Sequence, residues 1–123
     1  MSENGVVDDL GENLSGALAY SLGFVTGILF YALAGQNSFV RFHAIQSVVV
    51  FGGVVVLSFA ANAVLGLFLF VPILGPVFAT IIGFTQQVLG LVALALWILL
   101  VVKAYQGERF ELPVVGPFAR DYA

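Results

Sequence analysis

The chain has 123 residues, enough for one domain; 61% of them are apolar, 9% are charged, and the net charge is −3. The mean hydropathy is +1.09, and so few charges cannot cover a small water-soluble fold, which excludes a soluble enzyme, a soluble nucleic-acid binder and a disordered chain. The composition predicts an integral membrane protein. It is expected to be all-α, because the apolar runs lack the alternation of barrel strands.

Residues 1–13 form an acidic N-terminal tail that contains no base and four acids: Glu3, Asp8, Asp9 and Glu12. A secretory signal starts with positive charge, so we expect the apolar run after this tail to stay in the protein. That run, residues 14–34, is long enough to cross a ~30 Å hydrocarbon layer. Ala19, Gly23 and Gly27 recur there every four residues, which favours close helix packing within the protein or in a homodimer.

The second apolar run begins after His43 and ends at Phe70, and the third covers residues 77–102. Between them, residues 71–76 contain two prolines and a glycine, which together break a helix. We therefore predict a domain of three transmembrane helices over residues 14–104. The second and third helices are expected to form a tight hairpin.

All the lysines and arginines fall where a three-span protein would meet one side of the membrane: Arg41, Lys103, Arg109 and Arg120. The positive-inside rule then predicts a multi-pass protein of the cell membrane, with its N-terminus outside and residues 105–123 as a cytoplasmic C-terminal tail. Aromatic residues near the same boundary fit an interfacial belt: Phe39, Phe42, Trp97, Tyr105 and Phe110.

Two Pro-Gly segments resemble one another, residues 71–79 (VPILGPVFA) and residues 112–119 (LPVVGPFA). One interpretation is a repeated device in which glycine ends a segment and proline opens a helix. The other is a duplicated binding loop.

Polar residues within the hairpin form a candidate intramembrane polar pair: Asn62 on the second helix, with Gln86 and Gln87 on the third. Folding the hairpin about residue 74 places Asn62 level with Gln86, and Ser58 level with Gly90. Lipid penalises unpaired amides, so these side chains should bond across the hairpin. The alternative is a polar strip that lines a path through the membrane.

A candidate contact cluster opens the second helix and comprises Arg41, Phe42, His43, Gln46 and Ser47. His43, Gln46 and Ser47 share one helical face, and Arg41 can reach lipid headgroups. One interpretation is an interfacial anchor with a hydrogen-bonded helix start. The other is a contact site for a headgroup, a peptide or a proton, with the C-terminal tail docked beside it.

The sequence offers little for catalysis or for cofactors. It has no cysteine, a single histidine and no carboxylate within any predicted span. Intramembrane hydrolases and proton-coupled transporters usually need ionisable groups at depth. We therefore expect no enzymatic activity, no catalytic residue, no metal site, no cofactor and no nucleic-acid partner.

Several segments resemble a known family: residues 39–47 (FVRFHAIQS), 103–110 (KAYQGERF), 112–116 (LPVVG) and 17–23 (ALAYSLG). The family comprises small prokaryotic membrane proteins of unknown function, distantly related to the Tic-twenty component of chloroplast inner-envelope import. The resemblance covers residues 14–119 and implies a helical membrane protein.

These observations favour a non-enzymatic membrane protein that acts as an interaction or assembly subunit, with a protein-translocation system as one setting. Its partners would be the lipid bilayer and a membrane protein, or further copies of the chain. The contact cluster and the tail over residues 104–119 would form its contact surface. The alternative is a small oligomeric channel or carrier whose path is lined by Asn62, Gln86 and Gln87.

Overall fold

The computed structural model describes residues 5–123, and every regular element in that range is helical. The acid at Glu3 lies outside the described residues. The helices are α1 (Gly5–Leu10), α2 (Glu12–Ser21), α3 (Phe24–Leu33), α4 (Ser38–Gly66, extended by a 3₁₀ turn over Leu67–Phe70), α5 (Gly75–Tyr105) and α6 (Val115–Tyr122).

Two helices are long and apolar enough to cross a membrane: Ser38–Phe70, with 33 residues, and Gly75–Tyr105, with 31. They form the predicted hairpin, because residues far apart in sequence meet across it. The rings of Phe68 and Phe78 stack at 4.7 Å beside the turn, and Ser58 bonds to Gln86 further along. The prediction of three spans is not confirmed.

The first apolar run is not one helix. It breaks at Gly23, whose φ of 66° and ψ of −136° suit glycine and interrupt the helical hydrogen bonds. Before the break, Gly16 lies against Phe39 and His43; after it, Gly27 lies against Ala44 and Val48. Helix α2 therefore runs parallel to α4 and α3 runs back antiparallel to it. Together they form a helical hairpin that returns to the side on which it began.

This hairpin places the described N-terminal segment beside the connection between α3 and α4 and beside the end of α5. The Asn37 side chain donates to the Glu12 carboxylate at 3.3 Å, and Gly107 lies next to the Asn13 side chain. In a three-span protein, residues 13 and 107 would lie on opposite faces of the membrane. The structure does not confirm that arrangement, because these contacts place residues 13 and 107 at the same end of the helices and because α2 and α3, with ten residues each, are too short for either to cross the hydrocarbon layer alone.

The C-terminal segment also folds back against the helices. Residues 108–112 follow α4 inwards, and Leu112 and Pro113 reach the surface formed by Val50, Val54 and Leu57. Helix α6 then returns, with the buried Ala119 on its inner face. Residues 105–123, predicted as the C-terminal tail, thus pack against the helices in the structure.

The two similar Pro-Gly segments adopt the same local geometry. Ile73 and Val114 occupy equivalent positions and are the non-glycine residues with positive φ, 73° and 68°, in the described chain. Two positions later, buried Gly75 lies where a Cβ would meet the carbonyl of Leu69 at 2.6 Å, and Gly116 lies equally close to the preceding segment. Each segment leads into a helix, as the interpretation of a repeated helix-starting device predicts.

Candidate functional site: a buried polar cluster

The predicted contact cluster is buried, with one exception. The side chains of Phe42, His43, Gln46 and Ser47 are fully enclosed, whereas Arg41 is half-buried. The structure thus encloses most of the predicted contact cluster and leaves Arg41 at its edge, and a contact role for the cluster stays a prediction. Its residues share one face of α4, as their spacing indicates, but α2 and the C-terminal segment cover that face.

Tyr20 on α2 completes the cluster through a chain of hydrogen bonds. Its hydroxyl lies 2.7 Å from His43 Nδ1, and Gln46 Nε2 donates to the same hydroxyl at 2.9 Å. His43 Nε2 lies 3.0 Å from the carbonyl oxygen of Glu108, which can only accept. The imidazole therefore carries its proton on Nε2 and accepts from Tyr20 at Nδ1. Both ring nitrogens are occupied by protein groups.

Gln46 fixes the C-terminal segment at two points. Its Nε2 donates to the carbonyl of Phe110 at 2.9 Å, and its Oε1 accepts from the backbone N–H of Leu112 at 3.1 Å. With the bond from His43 to Glu108, three backbone groups of an irregular segment find partners on α4. Unpaired backbone groups are costly away from water, so the buried side chains explain why the segment docks there.

The break between α2 and α3 is stabilised in the same way. Ser47 Oγ donates to the carbonyl of Gly23 at 2.8 Å, and Trp97 Nε1 donates to the carbonyl of Tyr20 at 2.9 Å. Thr26 Oγ1 accepts from the backbone N–H of Leu22 at 3.0 Å. Backbone that leaves a helix at membrane depth is tolerated when protein groups satisfy it. Side chains from both long helices and from α3 thus bond to the backbone at the break between α2 and α3.

The three predicted packing residues separate into two roles. Gly27 allows close approach to α4, since a Cβ there would lie 2.9 Å from Val48 and 3.0 Å from the carbonyl of Ala44. Ala19 is fully buried between helices. Gly23 is required for the break and so does not continue a packing stripe. All three act within the chain, and the structure includes no second copy to test a homodimer.

Arg41 lies at the edge of the cluster and faces the groove between α3 and α4. Its guanidinium donates to the carbonyl of Gly35 at 3.2 Å and to the hydroxyl of Tyr31 at 3.0 Å, and it lies over the Tyr31 ring. Its buried Nε has no hydrogen-bond partner among residues 5–123. The two ion pairs in that range join other residues: Lys103 to Glu108, and Arg120 to Glu111.

Two of the three predicted intramembrane amides meet. Gln86 Nε2 donates to Asn62 Oδ1 at 3.0 Å, and Gln86 Oε1 accepts from Ser58 at 2.6 Å. The hairpin register predicts that Ser58 lies level with Gly90, which is one helical turn along α5 from its observed partner, Gln86. Gln87 is exposed and takes no part in these bonds.

Tyr20, Trp97, Thr26 and Gly16 are the members of the site that sequence reasoning missed. Tyr20 and Thr26 were visible as polar atoms within an apolar run. Gly16 gave no signal, because its importance comes from Phe39, whose ring a Cβ would meet at 2.8 Å. Within residues 5–123, no three His, Cys, Asp or Glu side chains come together to hold a metal ion.

Comparison with known proteins identifies the family to which the chain belongs. Residues 10–119 match the magnetosome magnetite crystal formation protein family. A UPF0132 membrane protein of Methanocaldococcus jannaschii is 42% identical over 93% of this chain and 90% of its own length. Another, from Archaeoglobus fulgidus, is 42% identical over 88% of this chain and 91% of its own length.

No solved structure matches the chain. The matches support the predicted membership of a small prokaryotic membrane protein family, but nothing in them links the chain to the Tic-twenty import component. The chain therefore belongs to the magnetosome magnetite crystal formation protein family and is similar to archaeal UPF0132 membrane proteins.

Proposed function

We propose that the protein is a non-enzymatic subunit that assembles with another membrane protein through the exposed half of its α4–α5 hairpin. The observation that carries the proposal is the exposure of Gln87 and Asn62 on that hairpin. Gln87 lies twelve residues into α5, about 18 Å along a helix about 46 Å long, which falls within a ~30 Å hydrocarbon layer centred on that helix. An amide facing lipid there is costly unless a neighbouring helix supplies a hydrogen-bonding group.

The two ends of the molecule differ in a way that supports this role. At one end, α2, α3 and the C-terminal segment surround the first turns of α4 and bury their polar side chains. At the other end, α4 and α5 are flanked by no other described element, and their apolar side chains are exposed, among them Phe59, Val64 and Phe84. The packed end would act as a rigid base and the hairpin as the part that associates.

The proposed orientation places the packed end on the cytoplasmic side of the cell membrane. All four bases belong to that end, as the positive-inside rule requires. The N-terminal acids would then share the cytoplasmic face, since α2 and α3 return to it. A protein-translocation system is one assembly that could take such a subunit. The name of the matched family refers to magnetite crystal formation in magnetosomes, whereas an assembly role requires only that the protein resides in the membrane.

The test is site-specific photocrosslinking in native membranes. A photoreactive residue at Gln87 should give a specific adduct, whereas one at Val92, exposed on a different face of α5, should not. The mass of the adduct distinguishes a second copy from another protein. Equal adducts from both positions, or none from Gln87, would contradict the proposal.

The channel or carrier alternative has a path lined by Asn62, Gln86 and Gln87, of which Asn62 and Gln86 bond to one another. It predicts solute flux through liposomes that contain the purified protein alone, and loss of that flux in Gln86→Leu. Assembly through Gln87 predicts no flux and an unchanged adduct in the same variant.

A further inference from the structure

Beyond assembly, we propose that the protein binds an anionic phospholipid, with the phosphate on Arg41 and an acyl chain in the groove between α3, α4 and α6. The proposal concerns the opposite end of the molecule from the exposed hairpin amides. Lipid binding at this end and assembly through the hairpin can therefore be tested independently of one another.

The groove is apolar throughout. Its volume is about 330 Å³, and its walls come from α3, α4 and α6: Ile28, Tyr31, Ile45, Val48, Val49 and Phe118. Its lining offers no polar surface to water or to a peptide backbone. Along α4 the groove extends from Ile45 to Val49, about 6 Å along the helix axis, and Arg41 lies one turn before it. Such an apolar groove suits part of an acyl chain.

The charge at the mouth of the groove fits an anion. Arg41 lies one helical turn above Ile45, and its guanidinium contacts the Tyr31 ring that lines the groove. Among residues 5–123 it has no carboxylate partner, and the nearby Glu12 carboxylate accepts from Asn37 instead. Its Nε is buried and lacks an acceptor. A phosphate would supply the missing negative charge and would accept from the guanidinium N–H groups that Gly35 and Tyr31 leave unbonded.

Arginine suits this task because its planar donors match phosphate oxygens and because its charge is permanent. Arg120 provides a matched control, since Glu111 already neutralises it at 3.1 Å. Arg41 and Arg120 thus lie at the same end of the molecule, and of these two only Arg120 forms an ion pair. Arg109 also has no acid partner in the described chain and donates to Ser38 instead, but the apolar groove lies beside Arg41.

The experiment measures lipid binding to the purified full chain in an uncharged detergent by native mass spectrometry. Phosphatidylglycerol and phosphatidylcholine with identical chains serve as anionic and zwitterionic probes. We expect preferential binding of phosphatidylglycerol, an affinity about tenfold lower in Arg41→Gln, and an unchanged affinity in Arg120→Gln. Val49→Trp, which fills the groove and keeps the cation, should lower the affinity for both lipids.

Inorganic phosphate separates a lipid site from a simple anion site. Phosphate alone should not displace phosphatidylglycerol, because it lacks the chain that fills the groove. Circular dichroism checks that each variant is folded. If Arg41→Gln unfolds, Arg41→Lys replaces it, because lysine keeps the charge. Arg41→Lys should keep the preference for phosphatidylglycerol and lose part of the affinity. Equal binding by wild type and the Arg41 variant, or equal binding of both lipids, would overturn the proposal.

Discussion

Replacement of Gln46 by leucine should release the C-terminal segment from α4. Gln46 bonds to Phe110 and Leu112 of that segment. Side-chain hydrogen bonds within membrane proteins average about 0.6 kcal/mol, so losing two costs at least about 1.2 kcal/mol. Because leucine leaves two backbone groups unpaired in the docked state, the loss is better given by the cost of those groups, about 1 kcal/mol each at the low end of its range. We therefore expect docking to weaken by about 2 kcal/mol, which raises the released fraction roughly 30-fold.

A single cysteine reports this release, because the chain contains none of its own. Ala119 is fully buried on the inner face of the docked α6, and Ala119→Cys there would be shielded from water and slow to ionise. A water-soluble maleimide should label it about 30-fold faster in Gln46→Leu. Gln87→Leu, which removes an amide far from the segment, should leave the rate unchanged. Equal labelling rates in the two variants would refute the docking account.

Three further substitutions test the packing of the helices through thermal unfolding in detergent. Gly27→Ala should lower the free energy of unfolding by about 1–3 kcal/mol, because the new Cβ would crowd α4. Gly53→Ala is the control, since a Cβ there meets open space and should not lower the stability. Equal effects of the two substitutions would contradict the close approach of Gly27 to α4. Trp97→Phe should cost about 1 kcal/mol by freeing the carbonyl of Tyr20, and a neutral result would show that the break between α2 and α3 is held otherwise. Gln86→Leu breaks two bonds and should cost about 1 kcal/mol, so a more stable variant would argue against the amide chain.

The sequence predicts the long hairpin well, because two uncharged runs flank a segment with Pro72 and Pro76, and each signal is local. It also predicts that Asn62 and Gln86 meet, since a tight turn fixes which residues are level. The face shared by His43 and Gln46 follows from helical spacing alone.

The first apolar run shows where local reasoning fails. Its length and hydropathy suit a span, and Gly23 reads equally well as a packing residue in a continuous helix. What decides the break is distant in sequence: Ser47 and Trp97 satisfy the backbone that the break exposes. Hydropathy cannot reveal such partners, so the span count and the burial of the contact cluster could not be predicted.

The central claim is that α2 and α3 enter the membrane and return to the same side. Single cysteines at Asn13, Gln36, Gln106 and Pro72, probed in sealed vesicles with a maleimide that cannot cross the membrane, test it most directly. We predict that the first three are labelled from one side and Pro72 from the other. Labelling of Asn13 from the same side as Pro72 would contradict the account, because the first apolar run would then cross the membrane.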